Sequence, residues 1–350
     1  MHLLGIDIGT GGTRAVVIDE QARVVASASA EHEPFFSGET GWAEQDPEEW
    51  WRATKAAIAA VLKAEPSIEI GAIGLSGQMH GAVVLDETDQ PVRPSIMWCD
   101  QRTSEQCAQI TGSLGKARLI DMAANPAVTG FTLPKLLWLR QVEPEPWSRV
   151  RTVMLPKDYI RLKLSGVKAT DVTDASGTLL FDVAKREWSD RMFAEFDLDP
   201  DIFPEVFESI EVTGVVSAAG SDSTGLETGT PIVAGAGDNA AGAVGLGIVR
   251  PGMMSVTIGT SGVVFLVTDG PQTDPSGRIH TLCHAVPDRW HNTGVTQAAG
   301  LSLKWYRDNF GNGRSFDELV DLAATVAEGS AGLGRWSSKL RPQDPDGPPG

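Results

Sequence analysis

The sequence predicts an α/β protein built from two related domains. Its 350 residues are 41% hydrophobic and 21% charged, so the chain is long enough for two domains that each bury a core. Strand and helix patterns follow one another along most of its length. A glycine-rich segment near the N-terminus recurs in outline in the last third of the chain, which indicates a duplicated unit.

The first 30 residues predict a β-ribbon. Apolar runs at 3–8, 15–18 and 24–28 indicate three strands, and the sequence GTGGT at 9–13 forms the loop between the first two. Such a loop brings consecutive backbone N–H groups and two hydroxyls to one point, which suits an anion such as an ATP phosphate. An ordinary hairpin turn explains the same residues. The segment matches neither a Walker P-loop nor a dinucleotide fingerprint.

A helix is predicted over 46–63. Asp46 is a suitable N-cap, Pro47 suits the first turn, and Glu49 completes a capping box of the form D-x-x-E. Apolar side chains then recur at helical spacing.

The loop SGQMHG at 76–81 follows a predicted strand over 70–75, a position at which ligands often bind. Met79 offers an apolar contact, and the imidazole of His80 suits sugar hydroxyls. A lone histidine also commonly has a purely structural role.

The segment WCDQR at 98–102 combines an aromatic face with residues able to form an ion pair. It either lines a sugar site or fastens a loop, and the sequence leaves both interpretations open.

The middle of the chain predicts a β-rich stretch over 169–183, a helix opening near Ser189 and an apolar strand over 231–234. The strand leads into GAGDN at 235–239 and a helix of small residues over 240–247.

Two aspartates lie at predicted strand ends. Asp238 is flanked by small residues where a general base belongs; capping of the following helix is the alternative, and Asn239 could cap it instead and leave Asp238 free. Asp7 ends the first apolar strand, where an unpaired carboxylate is costly. Mg²⁺ beside ATP supplies the needed cation; hydrogen bonding within its own turn is the alternative.

The internal repeat pairs DIGTGG at 7–12 with TIGTSG at 257–262. The second copy stands between β-rich runs at 253–258 and 263–267, so the repeated unit is a hairpin with a tight turn. Two related domains facing one cleft explain the repeat, and the two loops would then clamp a polyphosphate. Common turn chemistry explains it as well.

Composition excludes some partners. With 29 Lys and Arg against 46 Asp and Glu, the formal charge of −17 repels phosphate backbones and anionic lipids, so neither nucleic acid nor membrane partners are expected. Cys99, Cys107 and Cys283 fit no zinc or redox spacing, which predicts reduced thiols and a cytoplasmic location. No export or membrane signal is recognised.

Taken in order, these motifs resemble the FGGY family of carbohydrate kinases, and within it the members that phosphorylate D-xylulose. Residues 7–13 resemble the first phosphate loop of the family, in which Ser is frequent at the position that Gly11 occupies here. The other segments that carry the resemblance are the substrate loop GQMHG at 77–81, LPKDY at 155–159, the base motif GDNAAG at 237–242, the second phosphate loop GTSG at 259–262, and CHA at 283–285.

This resemblance implies an actin-like ATPase (ribonuclease H-like) fold, in which duplicated domains enclose a cleft and the second domain is incomplete. The implied domains are 1–247, with the sugar site and first phosphate loop, and 248–328, with the second loop. Residues 329–350 are rich in proline and lack periodicity, which predicts a disordered tail.

The resemblance also implies an activity, the ATP-dependent phosphorylation of D-xylulose to D-xylulose 5-phosphate, with Mg²⁺ as cofactor. Asp238 is the implied base, and Asp7 and Asp238 are the implied catalytic and metal-binding carboxylates. The implied sugar-binding residues are Gln78, Met79, His80, Trp98, Asp238 and Asn239. The implied ATP-binding residues are Thr10, Gly11, Gly12, Thr13, Arg14, Gly259, Thr260 and Ser261.

Two other functions stay open. Family members continue past this length with a glycine-rich adenosine-binding motif that this sequence lacks, so a non-catalytic sugar-binding fragment is the main rival. The other is a kinase that acts on ribulose, gluconate or glycerol. The segment QMH at 78–80 argues against this function. The chain is compatible with a homodimer.

Overall fold

The computed structural model describes residues 1–34, 37–296 and 298–326, and the chain divides into two compact units. The first comprises Met1–Met253 and Leu266–Asn292; the second comprises Met254–Phe265 and the residues from Thr293 onward. Residues 266–292 thus group with the N-terminal part, whereas the sequence assigned them to a second domain starting at 248. The predicted tail at 329–350 lies outside the described residues.

Strands and helices alternate along the chain. The strands are β1 (His2–Ile8), β2 (Gly12–Ile18), β3 (Val24–Glu31), β4 (Glu44–Gln45), β5 (Ile70–Gly77), β6 (Val83–Leu85), β7 (Ser95–Ile96), β8 (Thr152–Met154), β9 (Ala169–Asp171), β10 (Phe181–Asp182), β11 (Glu187–Trp188), β12 (Glu205–Phe207), β13 (Val212–Val215), β14 (Pro231–Val233), β15 (Ala236–Gly237), β16 (Met254–Ile258), β17 (Gly262–Thr268), β18 (His280–Cys283) and β19 (Trp290–Thr296). The helices are α1 (Pro47–Ala64), α2 (Ser104–Leu114), α3 (Lys116–Ala123), α4 (Thr132–Val142), α5 (Pro144–Arg149), α6 (Pro156–Ser165), α7 (Val172–Ser176), α8 (Asp190–Phe196), α9 (Ala218–Thr224), α10 (Asp238–Gly245), α11 (Gly300–Phe310) and α12 (Phe316–Ala324), with a 3₁₀ turn at Pro200–Ile202.

The largest sheet belongs to the first unit and has the order β13-β14-β5-β1-β2-β3, with β15 also paired to β5. Strands β1, β2 and β3 form the predicted antiparallel ribbon. Strands β1, β14 and β15 all run parallel to β5. The carboxyl ends of β1, β5 and β15 therefore meet at one edge of the sheet.

Side chains of β1 alternate between the two faces of this sheet, as the two-residue period of a strand requires. Leu4, Ile6 and Ile8 are buried in the core that α1 and α6 share, whereas Gly5 and Asp7 are exposed. Asp7 therefore lies on the face opposite this core.

Helix α1 confirms the predicted helix but not its capping box. Asp46 accepts a hydrogen bond from the Glu48 amide at 2.9 Å, and Pro47 occupies the first position. The Glu49 carboxylate instead pairs with Arg52, 3.0 Å away on the same helix. The charged partner one turn along competes with the backbone amide that a capping box requires.

The prediction of a β-rich stretch over 169–183 is wrong in the middle of that range, where α7 lies between β9 and β10. After β9 the carboxylate of Asp171 accepts hydrogen bonds from the amides of Thr173 and Asp174 and caps α7. This N-cap outweighs the β propensity of the segment. The predictions of a helix opening near Ser189 and of a strand from Pro231 are confirmed by α8 and β14.

The second unit contains β16 and the part of β17 up to Phe265, the predicted hairpin strands, which are neighbours in a sheet; α11 and α12 follow. Helix α12 begins with a complete capping box between Ser315 and Glu318. In the described part of the chain, no helix has the length and apolar character needed to cross a membrane. The three cysteines are free, as predicted.

Candidate functional site

The two predicted catalytic aspartates lie at the same edge of the main sheet. Asp7 of β1 is level with Ser76 of β5, which in turn is level with Ala236 of β15, and Asp238 comes two residues later. The Ser76 hydroxyl donates to Asp7 Oδ1 at 2.9 Å. Because Asp7 is exposed, the burial cost that its sequence position suggested does not arise.

Asp238 is the first residue of α10, and neither it nor Asn239 caps the helix, so the capping alternative is not observed. Gly237 holds the N-cap position in an extended conformation, and no side chain makes a capping hydrogen bond. The Asn239 amide instead donates to Asp238 Oδ1 at 2.9 Å. The carboxylate is thus free to face a ligand.

The environment of Asp238 makes its carboxylate a stronger base than usual. The side chain is accessible to solvent, yet protein atoms surround it densely, and this loss of hydration raises its pKa; the neighbouring Asp7 carboxylate adds to the effect. Together they raise the pKa of Asp238 to about 6.

The first glycine-rich loop is shorter than predicted, because β2 already begins at Gly12. The Gly9 amide donates to the Gly12 carbonyl at 3.0 Å and closes the turn. The Thr10 hydroxyl accepts from Trp98 Nε1 at 3.0 Å and donates to Gln78 Oε1 at 3.4 Å. The side chain of Thr10 therefore joins the predicted phosphate loop to the predicted sugar residues.

Of the other residues assigned to the first phosphate loop, Thr13 requires a correction. Its side chain is fully buried within β2 and hydrogen-bonded to His32 Nε2 at 2.9 Å, so the hydroxyl is not available to a phosphate. The strand pleat turns it toward the core. Gly11 and Arg14 are exposed, and Arg14 is directly opposite Asp7 in the strand register.

A buried amide network supports Gln78. Its Nε2 donates to Gln45 Oε1 at 3.3 Å, and the same oxygen accepts from Trp50 Nε1 at 2.9 Å. Gln45 Nε2 in turn donates to the Thr10 carbonyl at 2.8 Å. Sequence analysis missed Gln45, since nothing in its local pattern links it to loops far away along the chain.

Met79 is buried and packs against the backbone that carries Asp238. A Cβ atom placed on Gly237 would lie only 2.6 Å from Met79 Cγ. The glycine thus allows the thioether to approach the strand end closely.

His80 is held in one orientation and one tautomer. Its backbone is left-handed at φ 69°, and Nδ1 lies 2.9 Å from the Gly177 carbonyl, which can only accept, so the proton is on Nδ1. Burial and the Lys135 ammonium lower the pKa of His80 to about 3. Lys135 Nζ donates to the His80 carbonyl at 2.7 Å, and Phe131 packs 4.7 Å from the ring centre. The imidazole is therefore neutral and keeps Nε2 as an acceptor.

The segment 98–102 fastens a loop through its charged residues and leaves its tryptophan partly exposed. Asp100 and Arg102 are buried and paired at 2.7 Å, with the guanidinium 3.7 Å from the centre of the Trp42 ring, so they fasten the loop. Trp98 is 43% exposed and bonded to Thr10, so its indole is the part available to a ligand.

The second loop lies in the second unit and closes differently. Gly259, Thr260 and Ser261 are exposed, and the Gly259 amide donates to the Ser261 carbonyl at 2.8 Å, one residue earlier than in the first loop. The amides of Ala299 and Gly300, at the start of α11, donate to the carbonyls of Thr260 and Gly259. The helix start therefore braces the loop.

The carboxylates fit a magnesium ion. Among the described residues no group of three or more His, Cys, Asp or Glu side chains is arranged around a metal position. Mg²⁺ is commonly bound by one or two carboxylates together with substrate phosphates, and Asp7 and Asp238 are donors of that kind. A divalent cation would also relieve their mutual repulsion.

Comparison with known proteins gives consistent matches. Residues 2–245 match the model described as the FGGY family of carbohydrate kinases, N-terminal domain. The xylulose kinases of Lactococcus lactis subsp. lactis and Escherichia coli are each 42% identical to this chain, over 95% and 86% of it. The crystal structure of xylulose kinase from Rhodospirillum rubrum superposes with a TM-score of 0.89 at 29% identity, and the match covers 94% of this chain.

The matches cover only part of the relatives. The chain spans 66% of the L. lactis protein, 62% of the E. coli protein and 68% of the R. rubrum chain.

Proposed function

Because the chain belongs to the FGGY family of carbohydrate kinases, we propose that it contributes the sugar site of an enzyme that transfers the γ-phosphoryl group of ATP to D-xylulose. The product is D-xylulose 5-phosphate. The observation that carries the proposal is the pairing of Asp238 with Asp7 at one sheet edge, beside the loop that holds Gln78 and His80.

Asp238 is proposed as the general base. With a pKa of about 6 it is mostly ionised at neutral pH, and it accepts a proton more readily than an ordinary carboxylate. It takes the proton from the terminal sugar hydroxyl as that oxygen forms a bond to the γ-phosphorus. The bond between the γ-phosphorus and the oxygen that bridges the β- and γ-phosphates breaks on the side opposite the attack, and ADP leaves.

The sugar site suits a neutral polyol. His80 Nε2 is an acceptor for a sugar hydroxyl, Met79 gives an apolar contact, and Trp98 is the exposed aromatic face. The exposed Asn239 amide adds a polar contact, and the buried Gln78 amide, bonded to Gln45 and Thr10, holds the loop in place. The relatives named xylulose kinase, each 42% identical to this chain, favour D-xylulose over gluconate as the substrate.

The phosphate contacts are proposed on the same basis. Asp7 would hold Mg²⁺, which would supply positive charge to the triphosphate, and Asp238 would stay off the ion because a coordinated cation would lower the pKa of the base. The backbone of Thr10, Gly11 and Gly12 presents its loop to the anion, and the Arg14 guanidinium adds a cation. In the second unit the corresponding contacts are assigned to Gly259, Thr260 and Ser261.

Replacement of Asp238 by Asn tests the proposal. Asp238→Asn keeps the size of the side chain but cannot accept the proton, so we expect ADP release with D-xylulose to fall about 10²- to 10⁴-fold. D-Xylulose affinity, measured by calorimetry, and melting temperature should change little. Asp222→Asn, an exposed substitution in α9, is the matched control and should leave all three values unchanged.

Other outcomes point elsewhere. Turnover near that of the unaltered chain in Asp238→Asn would remove Asp238 from the mechanism. Binding of D-xylulose without turnover by the unaltered chain would favour a non-catalytic sugar-binding role. Faster turnover of ribulose, gluconate or glycerol than of D-xylulose would reassign the substrate. A separate measurement, the mass of the protein in solution, distinguishes a monomer from a homodimer.

A further inference from the structure

The segment LPKDY opens α6 and places Lys157 at the centre of a buried charge cluster. Its Nζ lies 2.6 Å from Asp158, 2.9 Å from Asp171 and 3.1 Å from Asp174. Arg161 lies 3.4 Å from Asp158. All five side chains are fully buried, which is costly unless the charges compensate one another.

The charges of the cluster balance if Asp174 is neutral. Burial raises the pKa of Asp174 well above its ordinary value, Lys157 opposes this, and the carboxylates of Asp171 and Asp158 reinforce it. Burial alone would lower the pKa of Lys157, but the surrounding aspartates, Asp158 foremost, outweigh it and raise the pKa. The two cations, Lys157 and Arg161, then face the two other aspartates of the cluster, Asp158 and Asp171.

A chain of hydrogen bonds leads from this cluster to the backbone beside Asp238. Asp171 Oδ2 accepts the Thr173 hydroxyl proton at 2.7 Å. Because that proton is donated to Asp171, a lone pair of Thr173 Oγ1 is left to accept the Gly237 amide, 2.8 Å away. Gly237 is the residue immediately before Asp238, and both contacts are buried.

The cluster also holds the other side of the same turn. Arg161 donates to the Ala234 carbonyl. Between Ala234 and Gly237 the backbone is left-handed at Gly235, where a Cβ atom would meet the Leu75 carbonyl oxygen at 2.1 Å. The cluster thus anchors both ends of a tight turn whose next residue is Asp238.

We propose that Thr173 is a positioning residue for Asp238, fixed by the Lys157–Asp171 ion pair and acting through the Gly237 amide. The proposal rests on the function proposed for Asp238. Without the Thr173 hydroxyl the Gly237 amide loses its acceptor, and the start of α10, which no side chain caps, is held only through the pairing of β15 with β5. The base then occupies a wider range of positions relative to the sugar hydroxyl, and rate depends steeply on such placement.

Two substitutions isolate the hydroxyl. Thr173→Val keeps the shape of the side chain and removes the hydrogen bonds, whereas Thr173→Ser keeps them. In Thr173→Val we expect hydrogen exchange at the Gly237 amide to accelerate roughly tenfold. Turnover of D-xylulose should fall about 10- to 100-fold, with affinity for the sugar unchanged within twofold. Thr173→Ser should restore both exchange protection and turnover.

Thr224→Val is the matched control. Thr224, the last residue of α9, is also buried; its hydroxyl donates to the Gly220 carbonyl and accepts from the Leu226 amide. Neither hydrogen bond involves Gly237. Its substitution should lower the melting temperature without altering Gly237 exchange or turnover.

The proposal is overturned if Thr173→Val leaves Gly237 exchange unchanged, or if it accelerates exchange while turnover stays at the original level. A fall in melting temperature alone, as in Thr224→Val, would show a purely structural threonine. If the unaltered chain shows no turnover, the proposed function fails separately. Exchange at Gly237 then decides the Thr173 proposal: protection lost in the Val variant and kept in the Ser variant supports it, and equal exchange in all three chains overturns it.

Discussion

Two adjacent glycines in the first loop meet different surroundings. A Cβ atom on Gly12 would lie 2.8 Å from the Ala30 carbonyl oxygen on the neighbouring strand, a contact with backbone that cannot move away easily. A Cβ atom on Gly11 would have no atom within 4 Å. At Gly12, then, close strand approach requires glycine, whereas Gly11 tolerates a side chain.

Substitution by alanine separates these two positions. Gly12→Ala should lower the free energy of unfolding by about 1–2 kcal/mol, because the clash outweighs the reduced entropy of the unfolded chain. Gly11→Ala is the control and should be neutral or stabilise by up to about 1 kcal/mol. Urea denaturation measures both, and equal stability of the two variants would contradict the prediction.

Helix α6 depends on charges that a helix normally exposes. Its residues Lys157, Asp158 and Arg161 are fully buried, and their partners come from β9 and α7. Replacing one member of a buried ion cluster leaves a buried charge without its partner. The resulting loss of unfolding free energy exceeds the net contribution of the ion pair itself.

Removal of the central cation tests this dependence. Lys157→Met keeps much of the side-chain volume but leaves Asp171 without a cation and Asp158 with Arg161 alone, so unfolding free energy should fall by about 3–5 kcal/mol. Lys185→Met removes a lysine whose side chain is 66% exposed and should change stability by less than about 0.5 kcal/mol. The comparison uses urea denaturation, and a loss below about 1 kcal/mol in Lys157→Met would show that the cluster is not needed for stability.

At the scale of the molecule, the predicted fold is confirmed: the chain has the α/β, actin-like ATPase architecture of the carbohydrate kinases it matches. The two units are not consecutive along the chain, because the first unit contains two separate segments. Residues 266–292 belong to the first unit, where the fully buried Asn125 donates to the Thr281 carbonyl at 2.8 Å and accepts from the Thr281 amide at 3.1 Å.

Asn125 therefore fastens the returning segment. Asn125→Ala leaves the buried carbonyl and amide of Thr281 without these partners, and we expect a loss of about 1–3 kcal/mol in unfolding free energy. Limited proteolysis should then cut within 266–292 earlier than in the unaltered chain. Asn309→Ala, on an exposed position of α11, should leave both measurements unchanged. An uncut segment in a destabilised Asn125→Ala variant would show that other contacts hold it.

The sequence alone determined the elements whose signals are local. The β-ribbon, α1, the strand at 231 and the order of the motifs follow from periodicity, caps and glycine-rich turns over a few residues. The tertiary structure decided which groups meet. It buried the hydroxyl of Thr13, assigned the N-cap of α10 to Gly237, and joined Thr173 to Gly237 across 64 positions of sequence. Partners so distant leave no local pattern, because their contact depends on how strands and helices pack and not on the residues beside them.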